Sequence, residues 1–280
     1  MIAIFPILGQ SNAVGAALDG HKVSHPRVYQ WSGGAIVPAA EPLAHLPPVG
    51  FGFGTTFGAL YAEKYPARQV VLVPCARSGS TLRPSRNHER FVWESGWRPP
   101  PGGANMLELA VQRTTDALAA VGKEGHVAGY LWHHGETDGL TGISRGEYAR
   151  RLRAVIVTMR RVADAPFIMA QMVPEGIVDV PGRIETHHAT LEVANSTPRA
   201  AFVYSPRNSF RWYKGKPDTT HFNAAGQVEI AHRLLNMLCR LEGTATDDER
   251  GRNPDLGPEL RRRALHERLA RRIRRVSLRP

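Results

Sequence analysis

The sequence predicts an α/β protein, a three-layer α/β/α sandwich on a mostly parallel sheet of about five strands. Three observations carry that prediction. Apolar runs of strand length recur along the chain and are apolar nearly throughout, as in strands buried on both faces; Ile2 to Leu8 and Gln69 to Cys75 are two of them. Longer segments with apolar residues at helical spacing lie between these runs. Several of the runs stop at turns made of Gly, Ser and other small polar residues. Strands alternating with helices in this way form a parallel sheet covered on both faces.

The elements follow in order. Ile2 to Leu8 is the first strand, and it stops at Gly9-Gln10-Ser11-Asn12, where Asn12 reads as a turn former or helix cap. Arg27 to Trp31 is a short second strand ended by Ser32-Gly33-Gly34. A Pro/Gly-rich loop through Glu41-Pro42-Leu43 leads to a helix from Thr55 to Lys64, stopped by Pro66. Gln69 to Cys75 is the next strand and ends in the turn Arg77 to Thr81. Residues 83–103 are rich in Arg, Pro and Gly and predict a long loop; its Trp93 and Trp97 are either core residues or aromatic faces for a sugar ring. Asn105 to Val121 is helical. His126 to Trp132 is a strand that runs straight into His133-His134-Gly135-Glu136-Thr137-Asp138. An Arg-rich amphipathic helix from Arg145 to Val162 precedes a strand from Pro166 to Met172. A helix around Arg183 to Asn195, a strand from Ala200 to Tyr204, a polar loop to Pro217 and a helix from Asn223 to Leu241 complete residues 1–242 as one domain.

Residues 243–258 read as a linker. Residues 259–280 read as a basic amphipathic tail, with Leu260, Ala264, Leu265, Leu269, Ile273 and Val276 at helical spacing among arginines. The net charge of +11 is concentrated there, because residues 251–280 hold ten Arg against Asp255, Glu259 and Glu267. The tail is a solvated appendage, a stripe packed on the core, or a contact for an anionic membrane surface, nucleic acid or acidic partner.

An apolar fraction of 42% and a charged fraction of 22% belong to an ordinary globular protein. No apolar run approaches the ~20 residues that span a bilayer, and no signal-like segment precedes the first strand, so the chain is expected in the cytoplasm. Cys75 and Cys239 fall in separate apolar segments and predict buried free thiols rather than a disulfide scaffold.

Turns at strand ends present Ser11, Gly79 and His134-Gly135-Glu136, while Asp218 and His221 precede the last helix. A doubly wound sheet gathers such points on one edge. Hydroxyl attack on an acyl group needs a nucleophile, a base to take its proton, a group to orient that base, and donors for the oxyanion. Ser11 can serve as the nucleophile and His221 as the base. Asp218, three residues before His221, is placed to receive the other ring N–H.

This set resembles the SGNH (GDSL-like) hydrolase superfamily, and within it the sialate O-acetylesterase and carbohydrate esterase family 6 group. Gly9-Gln10-Ser11-Asn12 is similar to that group's first block, Ser78-Gly79-Ser80-Thr81 to its glycine block, Trp132 to Asp138 to its Trp-x-Gln-Gly-Glu-x-Asp block, and Asp218-Thr219-Thr220-His221-Phe222 to its closing block. Glu41-Pro42-Leu43 has a counterpart as well. The resemblance implies a serine esterase that removes O-acetyl groups from a carbohydrate or other small acylated substrate without a cofactor. It implies Ser11, His221 and Asp218 as catalytic residues. It also implies an oxyanion hole from Ser11, Gly79 and His134, with Gln10, Asn12, Ser78, Gly135, Glu136 and Asp138 in support. Two positions depart from the group: His134 stands where its donor glutamine is, and Ser78-Gly79-Ser80 replaces Gly-Gly-Thr.

Two other classes fit parts of the pattern. His133, His134, Glu136 and Asp138, with His221, have the ligand types of a metal-dependent hydrolase, although neighbours on one turn seldom face one ion. A non-catalytic carbohydrate- or nucleic-acid-binding module would put the work in the basic tail. The intact Ser/His/Asp set speaks against a degenerate core.

Overall fold

A computed structural model describes residues 1–20 and 23–245; the predicted tail and most of the predicted linker lie outside the described residues. In chain order the elements are β1 (Ile2–Gly9), α1 (Ser11–Val14), β2 (Val28–Ser32), β3 (Ala35–Pro38), α2 (Phe53–Lys64), β4 (Gln69–Pro74), β5 (Phe91–Val92), β6 (Ala104–Asn105), α3 (Met106–Val121), β7 (Gly125–Val127), β8 (Tyr130–His133), α4 (Arg145–Val162), β9 (Phe167–Ala170), α5 (Pro174–Asp179), α6 (Pro181–Ser196), β10 (Ala200–Val203), β11 (Phe210–Tyr213), β12 (Lys216–Phe222) and α7 (Ala224–Leu241).

The main sheet has the order β10-β9-β8-β1-β4-β2-β3, with β7 also paired to β1. All its pairings are parallel except β2 with β3. Strand β1 shows why the sheet is buried on both faces. Ile4 and Leu8 point into an apolar cluster with α3, α4 and α6, while Ala3, Phe5 and Ile7 point into a second cluster with α2 and α7. Strand β1 has β4 and β2 on one side and β8, β9 and β10 on the other, so its carboxyl end is the switch point where open sheets leave a crevice.

The three-layer architecture is as predicted, with differences in detail. The sheet is larger than about five strands, because β3 adds an antiparallel edge and the predicted strand from His126 to Trp132 is two. It breaks where pairing changes partner: Ala128 N–H donates to Ile4 C=O on one side, and Tyr130 N–H to Pro166 C=O on the other. The predicted 83–103 loop holds β5, which pairs with β6. Trp93 within it is core, donating its indole N–H to Ser80 Oγ at 3.0 Å; Trp97 is half-buried and donates to Glu89 C=O. The polar loop predicted up to Pro217 contains the hairpin β11–β12. Its turn is Lys214-Gly215, both with positive φ, the signature of a two-residue hairpin turn. Cys75 and Cys239 are buried thiols outside any disulfide. Among the described residues no helix is long and apolar enough to cross a membrane.

Candidate active site

The site is built where β1 ends. Gly9 has φ +120°, and a Cβ on it would lie 2.0 Å from the His133 carbonyl oxygen, so only glycine lets β1 turn this closely against β8. Gln10 N–H donates to that same carbonyl at 2.9 Å. Ser11 then opens the short helix α1 at the sheet edge, largely buried but not sealed. Loop 77–81 follows β4 on one side of β1, where Arg77 N–H and Ser80 Oγ–H both donate to Gly9 C=O. The His133–Asp138 turn follows β8 on the other side.

Ser11, His221 and Asp218 form one chain of hydrogen bonds. Ser11 Oγ lies 2.9 Å from His221 Nε2, and His221 Nδ1 lies 2.8 Å from Asp218 Oδ2. Residues three apart on a regular strand face opposite ways. Here the register jumps from Arg211↔Asp218 to Phe210↔Phe222, so Thr219, Thr220 and His221 bulge out of the pairing, and both side chains reach the same side. Burial opposes the Asp218 carboxylate, but hydrogen bonds from His221 and from Arg211 Nε at 2.8 Å outweigh it and hold the carboxyl below its ordinary range. Arg211 also donates to Ala16 C=O, which ties the hairpin to the exit of α1.

Asn12 is neither a turn former nor a cap in this structure, since no side chain caps α1. Its amide is a clip across the bulge. Nδ2 donates to Thr220 C=O at 2.9 Å and Oδ1 accepts from Phe222 N–H at 3.1 Å, so one side chain grips the backbone on both sides of His221. Glu136 Oε1 accepts the second Nδ2 hydrogen at 2.8 Å and fixes the amide orientation. Glu136 therefore buttresses through a side chain, whereas Asp138 accepts the backbone N–H of Leu82 at 3.1 Å. Gln10 Oε1 lies 3.4 Å from Gly135 N and 3.5 Å from Thr137 N, which joins the first turn to the third.

Gly79 is exposed with open space around it and Ser78 is half-buried. The two histidines of the third turn diverge. His133 Nε2 meets Gln171 C=O at 2.9 Å, and its Nδ1 lies 3.5 Å from Glu136. His134 packs against Trp132 with the ring planes tilted by 31°, and its Nδ1 faces Tyr148 Oη at 3.3 Å and Asp138 Oδ2 at 3.5 Å. Burial lowers both imidazoles, His134 to about 3, and raises Asp138 to about 7. Among the described residues no three His, Cys, Asp or Glu side chains are arranged to hold a metal ion, and the cluster considered for a metal centre is spread over separate hydrogen-bond partners.

Sequence reasoning missed Arg211, Tyr148 and Arg183. Arg183 is buried and donates to Glu136 C=O, Gly176 C=O and Thr220 Oγ1, linking the third turn to the bulge. Only Arg211 had a local signal, the Lys214-Gly215 turn flanked by aromatic residues, which marks a hairpin that pairs it with Asp218.

A search of curated proteins finds no significant match. Solved structures share the fold. NanS is 16% identical with a TM-score of 0.68, over 86% of this chain and 98% of that one. A protein from Arabidopsis thaliana is 18% identical with a TM-score of 0.65, over 87% and 99%. A carbohydrate acetylesterase from Xanthomonas citri is 14% identical with a TM-score of 0.51, over 85% and 56%. The family described as carbohydrate esterase, sialic acid-specific acetylesterase matches residues 1–240, from the first strand to the end of the last helix, and the chain belongs to that family.

Proposed function

We propose that this carboxylic ester hydrolase removes acetyl or other short acyl groups from a hydroxyl of an acidic, sialic-acid-like carbohydrate, through Ser11, His221 and Asp218. The observation that carries the reading is the unbroken chain Ser11 Oγ to His221 Nε2 to Asp218, at 2.9 and 2.8 Å. In this geometry Ser11 gives its proton to Nε2 as Oγ attacks the ester carbonyl. Asp218, kept ionised by Arg211 and His221, steadies the imidazolium. His221 then returns the proton to the departing sugar oxygen. The acyl group on Ser11 is released by water, with His221 again the base. The route draws on no cofactor.

The developing oxyanion is met by the backbone N–H groups of Ser11 and Gly79 and by the ring N–H of His134, with Gln10, Asn12, Ser78, Gly135, Glu136 and Asp138 holding the turns. For His134 the support is its place in the turn after β8 and a buried Nε2 that makes no close hydrogen bond among the described residues. Losing one such donor costs about 10²–10³ in turnover. His134→Ala should fall by that much, and His134→Gln should recover most of it.

Support for an acidic substrate comes from a cavity of about 450 Å³ that begins at Ser78 and Gly79 and continues along Arg77, His88, Arg90 and Phe91. Its lining has two arginines against one carboxylate, Glu89. The Arg77 guanidinium lies 4.1 Å from the Phe91 ring centre and makes no ion pair with a described residue. Burial lowers its basicity, which a ligand carboxylate would restore. Arg77→Met should raise KM for an O-acetylated acidic sugar about tenfold and leave p-nitrophenyl acetate unaffected.

The decisive experiment is covalent. A fluorophosphonate probe should label Ser11, and Ser11→Ala and His221→Ala should each nearly abolish esterase turnover, with the double variant little worse than either. Full labelling of Ser11→Ala would remove the assignment.

A further inference from the structure

An amide donates whatever the pH, but a neutral imidazole donates from only one of its two nitrogens. A histidine at the glutamine's position can therefore serve the oxyanion only if something decides which nitrogen carries the hydrogen. The surroundings of His134 supply that decision. The ring is wholly buried, and burial keeps it neutral. Tyr148, on α4, is also wholly buried, and its phenol stays protonated because burial raises it well above its ordinary range. Its Oη lies 3.3 Å from His134 Nδ1.

We propose that Tyr148 is a positioning residue: its O–H donates to His134 Nδ1 and fixes the Nε2–H tautomer, leaving that hydrogen free for the oxyanion. The inference rests on the reading of His134 as an oxyanion donor.

Two neighbours pull the other way: Thr190, whose own hydrogen goes to Thr186 C=O, also pairs with the Tyr148 phenol and competes for its hydrogen, and Asp138 draws on the same imidazole nitrogen. Asp138 Oδ2 lies 3.5 Å from the same Nδ1, and a carboxylate there would draw the hydrogen onto Nδ1. Its hold is weak. The separation exceeds a normal N–H···O bond, and both oxygens already accept from Leu82 N–H at 3.1 Å. The Ser80 backbone carbonyl also favours an N–H on this ring. Nε2 makes no close hydrogen bond among the described residues, so in the proposed tautomer its hydrogen is held at most loosely, by that carbonyl, before substrate arrives.

The test is a cycle of wild type, Tyr148→Phe, His134→Gln and the double variant, with kcat and KM for a small acetyl ester. Losing one neutral hydrogen bond corresponds to about five- to tenfold. Tyr148→Phe should lower kcat by that factor at constant KM in the wild-type background. In the His134→Gln background it should change kcat less than twofold, since an amide has no tautomers. Nitrogen-15 spectra of labelled histidine in the unsubstituted enzyme should show His134 protonated at Nε2, and this holds as a test even if Tyr148→Phe folds poorly. An equal loss in both backgrounds, or a hydrogen on Nδ1 in the wild-type spectrum, overturns the proposal. Full turnover by His134→Ala would instead remove the donor reading, while the spectrum still reports the tautomer separately.

Discussion

Ser11 and His221 are 210 residues apart in sequence and meet at 2.9 Å from two unlike supports. Ser11 stands at the end of β1, whose two parallel neighbours β4 and β8 and two apolar clusters leave it almost no freedom. His221 sits on a bulged strand of a two-stranded hairpin outside the main sheet, its side chain 21% exposed. Ser11 is placed by backbone bonds and buried hydrocarbon. His221 is placed by a few polar clips: Asn12, Arg211 and Arg183. A change on the first side should cost fold and activity together, and a change on the second should cost activity first.

The largest expected effect is on the nucleophile's side. Gly9→Ala puts a methyl 2.0 Å from the His133 carbonyl at a φ of +120°. It should destabilise the protein by about 3 kcal/mol or more, through strain and overpacking. Thermal unfolding checks it, and an unchanged midpoint would mean that the two turns can separate at little cost.

Next is Asn12→Ala, which frees both backbone groups flanking His221 and unpairs a buried Glu136 oxygen. A displacement of the base by about 1 Å costs on the order of 10²-fold in kcat. The lost hydrogen bonds should also lower stability by about 2 kcal/mol. If kcat measured on the folded fraction stays within twofold, the clip does not position the base.

Arg211→Gln should act mildly near neutral pH and more clearly in acid. Asp218 is held below its ordinary range, so its contribution to stability is complete above the unfolded carboxylate value of about 3.9 and is lost as pH falls through the folded value. Without Arg211 the folded value rises, and acid unfolding should begin at a higher pH. Because the pair is partly exposed, the neutral-pH loss should stay within about 1 kcal/mol. An acid unfolding curve that superimposes on the wild type would show that Arg211 does not stabilise the carboxylate.

The smallest effect is expected from deleting residues 251–280, which contain no residue of the site. Turnover of a small acetyl ester should stay within a few-fold. Any salt-sensitive binding of the full-length protein to anionic vesicles or nucleic acid through its +7 charge should disappear. A tenfold loss of turnover would mean that the tail supports the catalytic domain.

Residues whose placement depends on short-range pattern were legible in the sequence. An apolar run ending in Gly9-Gln10-Ser11 dictates a buried strand and a turn, and parallel packing brings the turns after β1, β4 and β8 to one edge. The hairpin was only weakly legible: the Lys214-Gly215 turn marks it, but its strands are half-buried or exposed and lack the hydrophobic periodicity that marks buried ones. Asn12 was misread for a related reason. After a strand an asparagine is locally a turn former, and nothing nearby reveals that its amide will meet Thr220 and Phe222, more than two hundred residues on.

By itself the sequence determined the layered fold and singled out Ser11, Asp218 and His221 as candidates, since burial pattern and residue chemistry are properties of short segments. Tertiary structure alone decided that Asp218 and His221 face the same way, because strand parity would separate them and only the three-residue bulge, clipped by Asn12, brings them together. It also decided the setting of His134. A histidine in a turn can point to solvent, a metal or the core, and only packing beneath Trp132 and beside Tyr148 and Asp138 fixes which of its nitrogens faces which partner.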